Sequence, residues 1–153
     1  MMTLVKDYAE QIRGVSYKPE DVCEELNDES ITLLRANNIT DSGLCFDDLV
    51  YVRRNKVKDV QKLQKGDVLI CTSSGSKALV GKAAYVTKDL DMTFGAFCKV
   101  IRPHGVNADY FQYFFQSPAY RKRISELAAG ANINNIRNEH IDELAFYPPD
   151  IPT

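Results

Sequence analysis

Two polar stretches hold most of the side chains that could grip a phosphate or read a base edge. The first is Thr72-Ser73-Ser74-Gly75-Ser76-Lys77, with Gly81-Lys82 just beyond it. The second is Asn132-Ile133-Asn134-Asn135-Ile136-Arg137. The first resembles a phosphate-cradling P-loop and fails its spacing. A P-loop needs four residues between its glycines and a hydroxyl after the lysine, because backbone amides wrap the phosphates and the hydroxyl reaches magnesium. Here five residues separate Gly75 from Gly81, and Ala83 stands at the hydroxyl position. What remains is an apolar strand, Val68 to Cys71, a hydroxyl-rich tip, and a second apolar run through Ala78–Val80 and Ala83–Val86. Serine, lysine, asparagine and arginine on such loops are the residue types that contact phosphates and base edges.

Candidate contacts follow from placement on loops between apolar elements. They are Ser73, Ser74, Ser76 and Lys77 on the first tip, with Lys82 beyond it, and Asn132, Asn134, Asn135 and Arg137 on the second. Arg35 and Asn37, which follow an early strand, complete the set. Alternation with Ile133 and Ile136 aims the second loop's polar groups outward. Each has an ordinary alternative: asparagine tolerates left-handed backbone and caps turns, and Lys82 fits a solvated surface.

Charge divides unevenly along the 153 residues. Residues 1–52 hold 4 bases and 11 acids, residues 53–104 hold 11 bases and 4 acids, and residues 105–153 hold 4 and 6. A basic middle third inside a chain of net charge -2 fits a polyanionic partner, or a merely solvated face. Arg53, Arg54, Lys56 and Lys58 in that third would steer a polyanion without touching bases. The apolar fraction, 44%, is that of a globular domain, and no apolar run reaches the roughly 18 residues of a membrane span. Cys23, Cys45, Cys71 and Cys98 stand singly, which argues against paired metal ligands and fits a reducing, cytoplasmic setting.

The elements that must position these loops read as follows. Leu4, Val5, Tyr8 and Ile12 have helical spacing, so residues 3–13 read as a helix stopped by Gly14. Strands are expected at 31–35, 49–52, 68–71 and 94–101, the last ended by Pro103. Tyr110 to Phe115 form an aromatic helix face over 108–116, expected to be core. Ser117-Pro118 caps a second helix to Gly130. A short helix from about 138 to 143 and a strand from 144 to 147 close the chain. The tetrapeptide Tyr147-Pro148-Pro149-Asp150 inverts the Asp/Asn-Pro-Pro-Tyr of adenine methyltransferases, and reversed chain direction cannot offer the same contacts.

Five pieces in this order, "IRGVSYKPEDV" (12–22), "ITLLRANNIT" (31–40), "LQKGDVLICTSSGSKALVGKAA" (63–84), "FQYFFQSPAYRKRI" (111–124) and "GANINNIRNEHIDELAFYPP" (130–149), give the chain a resemblance to a target recognition domain of type I restriction-modification specificity subunits. The resemblance implies a non-catalytic reader of one half of a split double-stranded DNA target. It implies partner modification (adenine methyltransferase) and restriction subunits, with S-adenosylmethionine, ATP and magnesium only on those partners and no cofactor here. The expected fold is mixed α/β (α+β), a curved, largely antiparallel sheet with flanking helices. One recognition domain is expected over 1–153, without the second domain and coiled-coil spacer of full-length members. Two other readings stay open: a small nucleotide-binding enzyme using the Gly75–Lys82 loop, and a protein-interaction module presenting its aromatic helix.

Overall fold

The computed structural model describes residues 3–74, 78–130 and 135–146. Eleven strands come first: β1 (Thr3–Leu4), β2 (Ala9–Arg13), β3 (Val22–Cys23), β4 (Ser30–Leu34), β5 (Ile39–Thr40), β6 (Gly43–Leu44), β7 (Val50–Arg53), β8 (Val68–Cys71), β9 (Ala83–Tyr85), β10 (Met92–Phe94) and β11 (Cys98–Pro103). Helices α1 (Ala108–Gln116), α2 (Pro118–Gly130) and α3 (Asn138–Asp142) follow, and β12 (Ala145–Phe146) returns to pair with β1.

Two four-stranded sheets carry the fold. One has the order β2-β11-β8-β9 and is antiparallel throughout. The other has the order β10-β4-β7-β3, antiparallel except for the parallel pair β10–β4. The expected mixed α/β class is therefore found, with the sheet divided in two.

The first sheet is buried on both faces, which explains the unbroken apolar run of β8. Val68 and Ile70 face a core shared with Phe111, Phe115, Tyr120 and Ile124 of the helices. Leu69 and Cys71 face a second core with Leu34 and Phe94 of the other sheet. Burying each large apolar side chain contributes about 1.5–3 kcal/mol. The aromatic face of α1 splits as its spacing predicts: Phe111 and Phe115 are buried with ring centroids 5.2 Å apart, while Tyr110 and Tyr113 face outward. Ser117 caps α2, its Oγ accepting from the Tyr120 backbone N–H at 3.2 Å. Asp67 is fully buried and held bidentately by Arg102, at 2.8 and 3.0 Å. Removing either partner of such a pair leaves an uncompensated charge.

The helix expected over residues 3–13 is absent. That segment is β1, a 3-10 turn at Val5–Asp7, and β2. Ala9 packs into the helix-side core and Ile12 into the core between the sheets. A strand with apolar residues on both faces loses its alternation, and its spacing mimics a helical stripe. The second apolar run also divides: Ala78–Val80 form a turn and only Ala83–Tyr85 is strand. The closing strand is Ala145–Phe146, and Tyr147, the last residue of the expected strand, lies outside the described residues.

Gly14 does not stop a helix; it lets two backbones touch. A Cβ there would lie 2.0 Å from the Gly95 carbonyl oxygen. The next residue, Val15, donates its N–H to Phe94 O at 2.8 Å, and Gly95 donates to Leu34 O at 3.0 Å. The first sheet is thereby tied to the second at one crossing. Gly14→Ala is expected to destabilise the chain by about 3 kcal/mol or more, since the sheets must part to admit a methyl group. Urea unfolding measures it, and an unchanged midpoint would remove this crossing as a constraint.

Candidate nucleic-acid interface

The candidate residues sit around a three-way junction of backbone. The Phe97 carbonyl, in the turn between β10 and β11, accepts from Thr72 N–H at 2.9 Å, Ser73 N–H at 3.2 Å and Thr72 Oγ1 at 3.2 Å. Thr72 O in turn accepts from Ile136 N–H at 2.6 Å, and Ser73 makes an antiparallel bridge with Asn135. Three segments distant in sequence, 72–74, 95–98 and 135–137, are thus fixed side by side. Ile136 is buried in the helix-side core, so its neighbours Asn135 and Arg137 are turned outward.

Two grooves flank this junction and share Ser16 and Ala96 in their walls. The larger, of about 1010 Å³, has mostly apolar walls and collects Arg35, Asn37, Ser73 and Ser74. The smaller, of about 430 Å³, is polar and collects Arg13, Thr72, Lys99, Asn135, Arg137 and Asn138. Six sequence candidates therefore line two adjoining grooves. Ser76, Lys77, Asn132 and Asn134 lie outside the described residues. Lys82 is set apart: it lines neither groove and its Nζ lies 3.8 Å from Asp41.

The groove residues are held in place by specific partners. Arg35 Nη2 lies 3.2 Å from Asp48, and Asn37 donates to the same carboxylate at 3.1 Å. Asn38, fully enclosed, accepts from Arg35 N–H at 2.9 Å and donates to Cys45 O and Asp48 O, both at 2.9 Å, which fixes that carboxylate's loop. Arg35 Nε is buried without a hydrogen-bond partner among the described residues.

In the smaller groove, Arg13 and Lys99 stand directly opposite each other on β2 and β11. Like charges so placed repel. Burial, and then Arg13, lower the Lys99 pKa from its ordinary value, with Asp142 and Glu139 opposing. Lys99 Nζ donates to Asn138 Oδ1 and, at 3.4 Å, to Gln11 Oε1.

Sequence reasoning missed Arg13, Ser16, Phe97, Lys99 and Asn138. Strand register across β2 and β11 brings Arg13 and Lys99 together, and no local pattern announces a pairing between residues so far apart. Phe97 was legible only as one apolar position within an expected strand.

Gly81 and Lys82, at the end of the Gly75–Lys82 loop, are engaged in the fold. Gly81, at φ 91°, donates its amide to Cys71 O at 2.7 Å, and its carbonyl accepts from Tyr120 OH at 2.8 Å. Lys82 N–H is bonded to Leu79 O at 3.1 Å. These amides are committed to the sheet and turn. Cys71 and Cys98 face each other on β8 and β11, both buried, and burial pushes the Cys98 thiol up to about 12. Neither is a thiolate nucleophile at neutral pH. The basic middle third is partly neutralised: Arg54 is bidentate on Asp91 at 2.8 and 2.7 Å, and Lys56 lies 3.7 Å from Asp21. Arg53 and Lys58 remain exposed.

No protein-family model matches the chain. It is 44% identical over 141 residues to the type I restriction enzyme StySPI specificity subunit of Salmonella potsdam, covering 92% of this chain and 30% of that protein. It is 45% identical over 132 residues to the EcoKI specificity subunit of Escherichia coli strain K12, covering 86% of this chain and 28% of that protein. The chain thus spans under a third of the length of these curated relatives. Among solved structures it is similar to the HsdS subunit from Thermoanaerobacter tengcongensis, with TM-score 0.66, 14% identity, and 95% of this chain and 32% of that one covered. A type I S subunit from M. genitalium gives 0.61 at 16% identity, covering 95% and 33%. A chain from a study of complex assembly and conformational transition of the type I R-M system gives 0.69 at 15% identity, covering 98% and 34%. These structures share the fold.

Arg13→Gln is expected to raise stability by about a few tenths of a kcal/mol at low ionic strength, by relieving cross-strand repulsion. The gain should vanish in high salt, where exposed charges are screened. Urea titrations at the two salt levels read it; a loss of stability at low salt would mean that Arg13 has a compensating partner.

Proposed function

The chain belongs with the specificity subunits of type I restriction-modification enzymes, and from that premise we propose that it is a target recognition domain reading one half of a bipartite double-stranded DNA target. The observation that carries this reading is the convergence of Ser73, Ser74, Asn135 and Arg137 on one face, on segments locked together by backbone hydrogen bonds. Arginine, asparagine and hydroxyl side chains read base edges in the major groove. Arg13 and Lys99, repelling across adjacent strands, supply positive charge that a phosphate would neutralise.

The role assigned to each residue follows from what holds it. Asn135 and Arg137 are exposed beside the buried Ile136, and they read bases. Ser73 and Ser74 lie at the junction's edge and contact the sugar-phosphate backbone. Arg35 and Asn37, already engaged with Asp48, contribute planar donor surfaces to the wider groove. Ser76, Lys77, Asn132 and Asn134 are carried in the reading from sequence alone, and Lys82 drops to a surface role beside Asp41.

On this reading the chain binds and orients, and chemistry belongs elsewhere. Adenine methylation with S-adenosylmethionine, and cleavage with ATP and magnesium, fall to modification and restriction subunits in a cytoplasmic complex. The chain itself needs no cofactor. A protein-interaction role for α1 is weaker, because Phe111 and Phe115 are spent on the core.

Selection from a randomised duplex pool, followed by anisotropy titration, tests the proposal. The chain should enrich a short motif, with affinity falling steeply as salt rises because each neutralised phosphate releases a counterion. Arg137→Ala should weaken binding to the enriched duplex by about 1–3 kcal/mol and relax preference at one position. Lys6→Ala, on the 3-10 turn at the far end of β2, should leave binding unchanged. Absence of any enriched motif, or binding indifferent to salt, would sink the reading.

A further inference from the structure

We propose that Phe97 is an apolar base reader, touching the C5-methyl group of a thymine in the major groove of the bound duplex; this deepens, and rests on, the DNA-recognition reading above. Phe97 is 70% exposed, the largest exposure among the large apolar side chains of the described residues. Single exposed apolar residues are ordinary and carry no meaning by themselves. What sets this one apart is how its backbone is held. The Phe97 carbonyl is fixed by three donors from Thr72 and Ser73, and the turn is closed by Cys98 N–H on Gly95 O at 3.0 Å. Gly95 is itself tied to Leu34 O at 3.0 Å and pressed against Gly14. The ring is therefore presented from a backbone that has little freedom to withdraw it.

Its position decides its chemistry. The turn of Gly95 to Cys98, Phe97 included, lines the larger groove with Ser73 and Ser74, and its Ala96 also borders the smaller groove of Asn135 and Arg137. Asn135 and Arg137 match the hydrogen-bonding groups on base edges. The thymine methyl is the one apolar group a base pair shows in the major groove, and it is read by apolar contact. An aromatic ring carried on a fixed backbone, beside the polar side chains, fits that feature. Folding gains little from a ring so exposed, so its removal should be felt in recognition and scarcely in stability.

The test uses the chain and the duplex it enriches from a random pool. Each thymine of that duplex is replaced in turn by deoxyuridine, which removes only the methyl group. One such replacement should weaken wild-type binding about fourfold, the equivalent of one buried methyl group. Phe97→Ala should bind the thymine and deoxyuridine duplexes equally, with its thermal midpoint unchanged. Phe97→Leu should retain most of the discrimination. An enriched motif without thymine overturns the proposal, as does a wild-type chain indifferent to every deoxyuridine. So does a Phe97→Ala variant that keeps the thymine preference, whether or not its overall affinity falls. These outcomes leave DNA recognition standing; failure of the wild-type chain to enrich any motif removes both.

Discussion

The contact between the backbones of Gly14 and Gly95 is the constraint on which the site depends. With a Cβ position 2.0 Å from a carbonyl oxygen, no side chain fits at residue 14 without moving one sheet relative to the other. This closeness lets Val15 N–H reach Phe94 O, while Gly95 N–H extends the β10–β4 pairing onto Leu34 O. Strand β2 of the first sheet thus runs directly into the second, and the β10–β11 turn emerges at the crossing. Both grooves open beside that turn. Their shared walls, Ser16 and Ala96, are each within two residues of the touching glycines. The grooves are a consequence of how the sheets are joined.

The parts of the fold legible in sequence are those whose burial is one-sided or whose ends are marked. Helix α1 has buried Phe111 and Phe115 on one face and outward Tyr110 and Tyr113 on the other, and α2 begins at a Ser-Pro cap. Strand β8 is short, wholly apolar and preceded by a Gly-Asp turn. Strand β2 was illegible for the opposite reason. It lies between two cores and serves both, with Ala9 toward the helices and Ile12 toward the second sheet. Its apolar positions then carry no period of two, and Leu4, Val5 and Tyr8 before it complete a false helical stripe. Gly14 was seen as punctuation because close approach between distant backbones leaves no local trace.

The site divides along the same line. Ser73, Ser74, Asn135 and Arg137 were visible because polar loops between apolar elements can be read from types alone. Arg13 and Lys99 were invisible because only the β2–β11 register sets them opposite. Charge counting was similarly partial. Asp91 on Arg54 and Asp67 on Arg102 pair charges inside the middle third, and its surplus is drawn down from the first third by Asp21 on Lys56 and Asp41 on Lys82. What distinguishes the groove is therefore less the amount of positive charge than its placement at Arg13, Lys99 and Arg137.

On the proposed reading the face must be able to change its side chains without losing its shape, and the junction at Thr72 has the physical form for this. The bonds that hold segments 72–74, 95–98 and 135–137 together are mostly between backbone groups: Thr72 and Ser73 N–H to Phe97 O, and Ile136 N–H to Thr72 O. The Thr72 hydroxyl adds a side chain to that set. Backbone bonds survive substitution of the residues that make them, proline excepted. The inward anchors, Ile136 and the Gly14–Gly95 contact, are separate from the outward residues at 73, 74, 97, 135 and 137. Stability and specificity thus draw on different atoms of the same segments. Phe97, Asn135 and Arg137 are exposed, and substitutions of such side chains usually change stability within about 0.5 kcal/mol, while Ser73 and Ser74 are half-buried. The same substitutions alter the groups this face presents, so its chemistry can change while the scaffold beneath stays fixed.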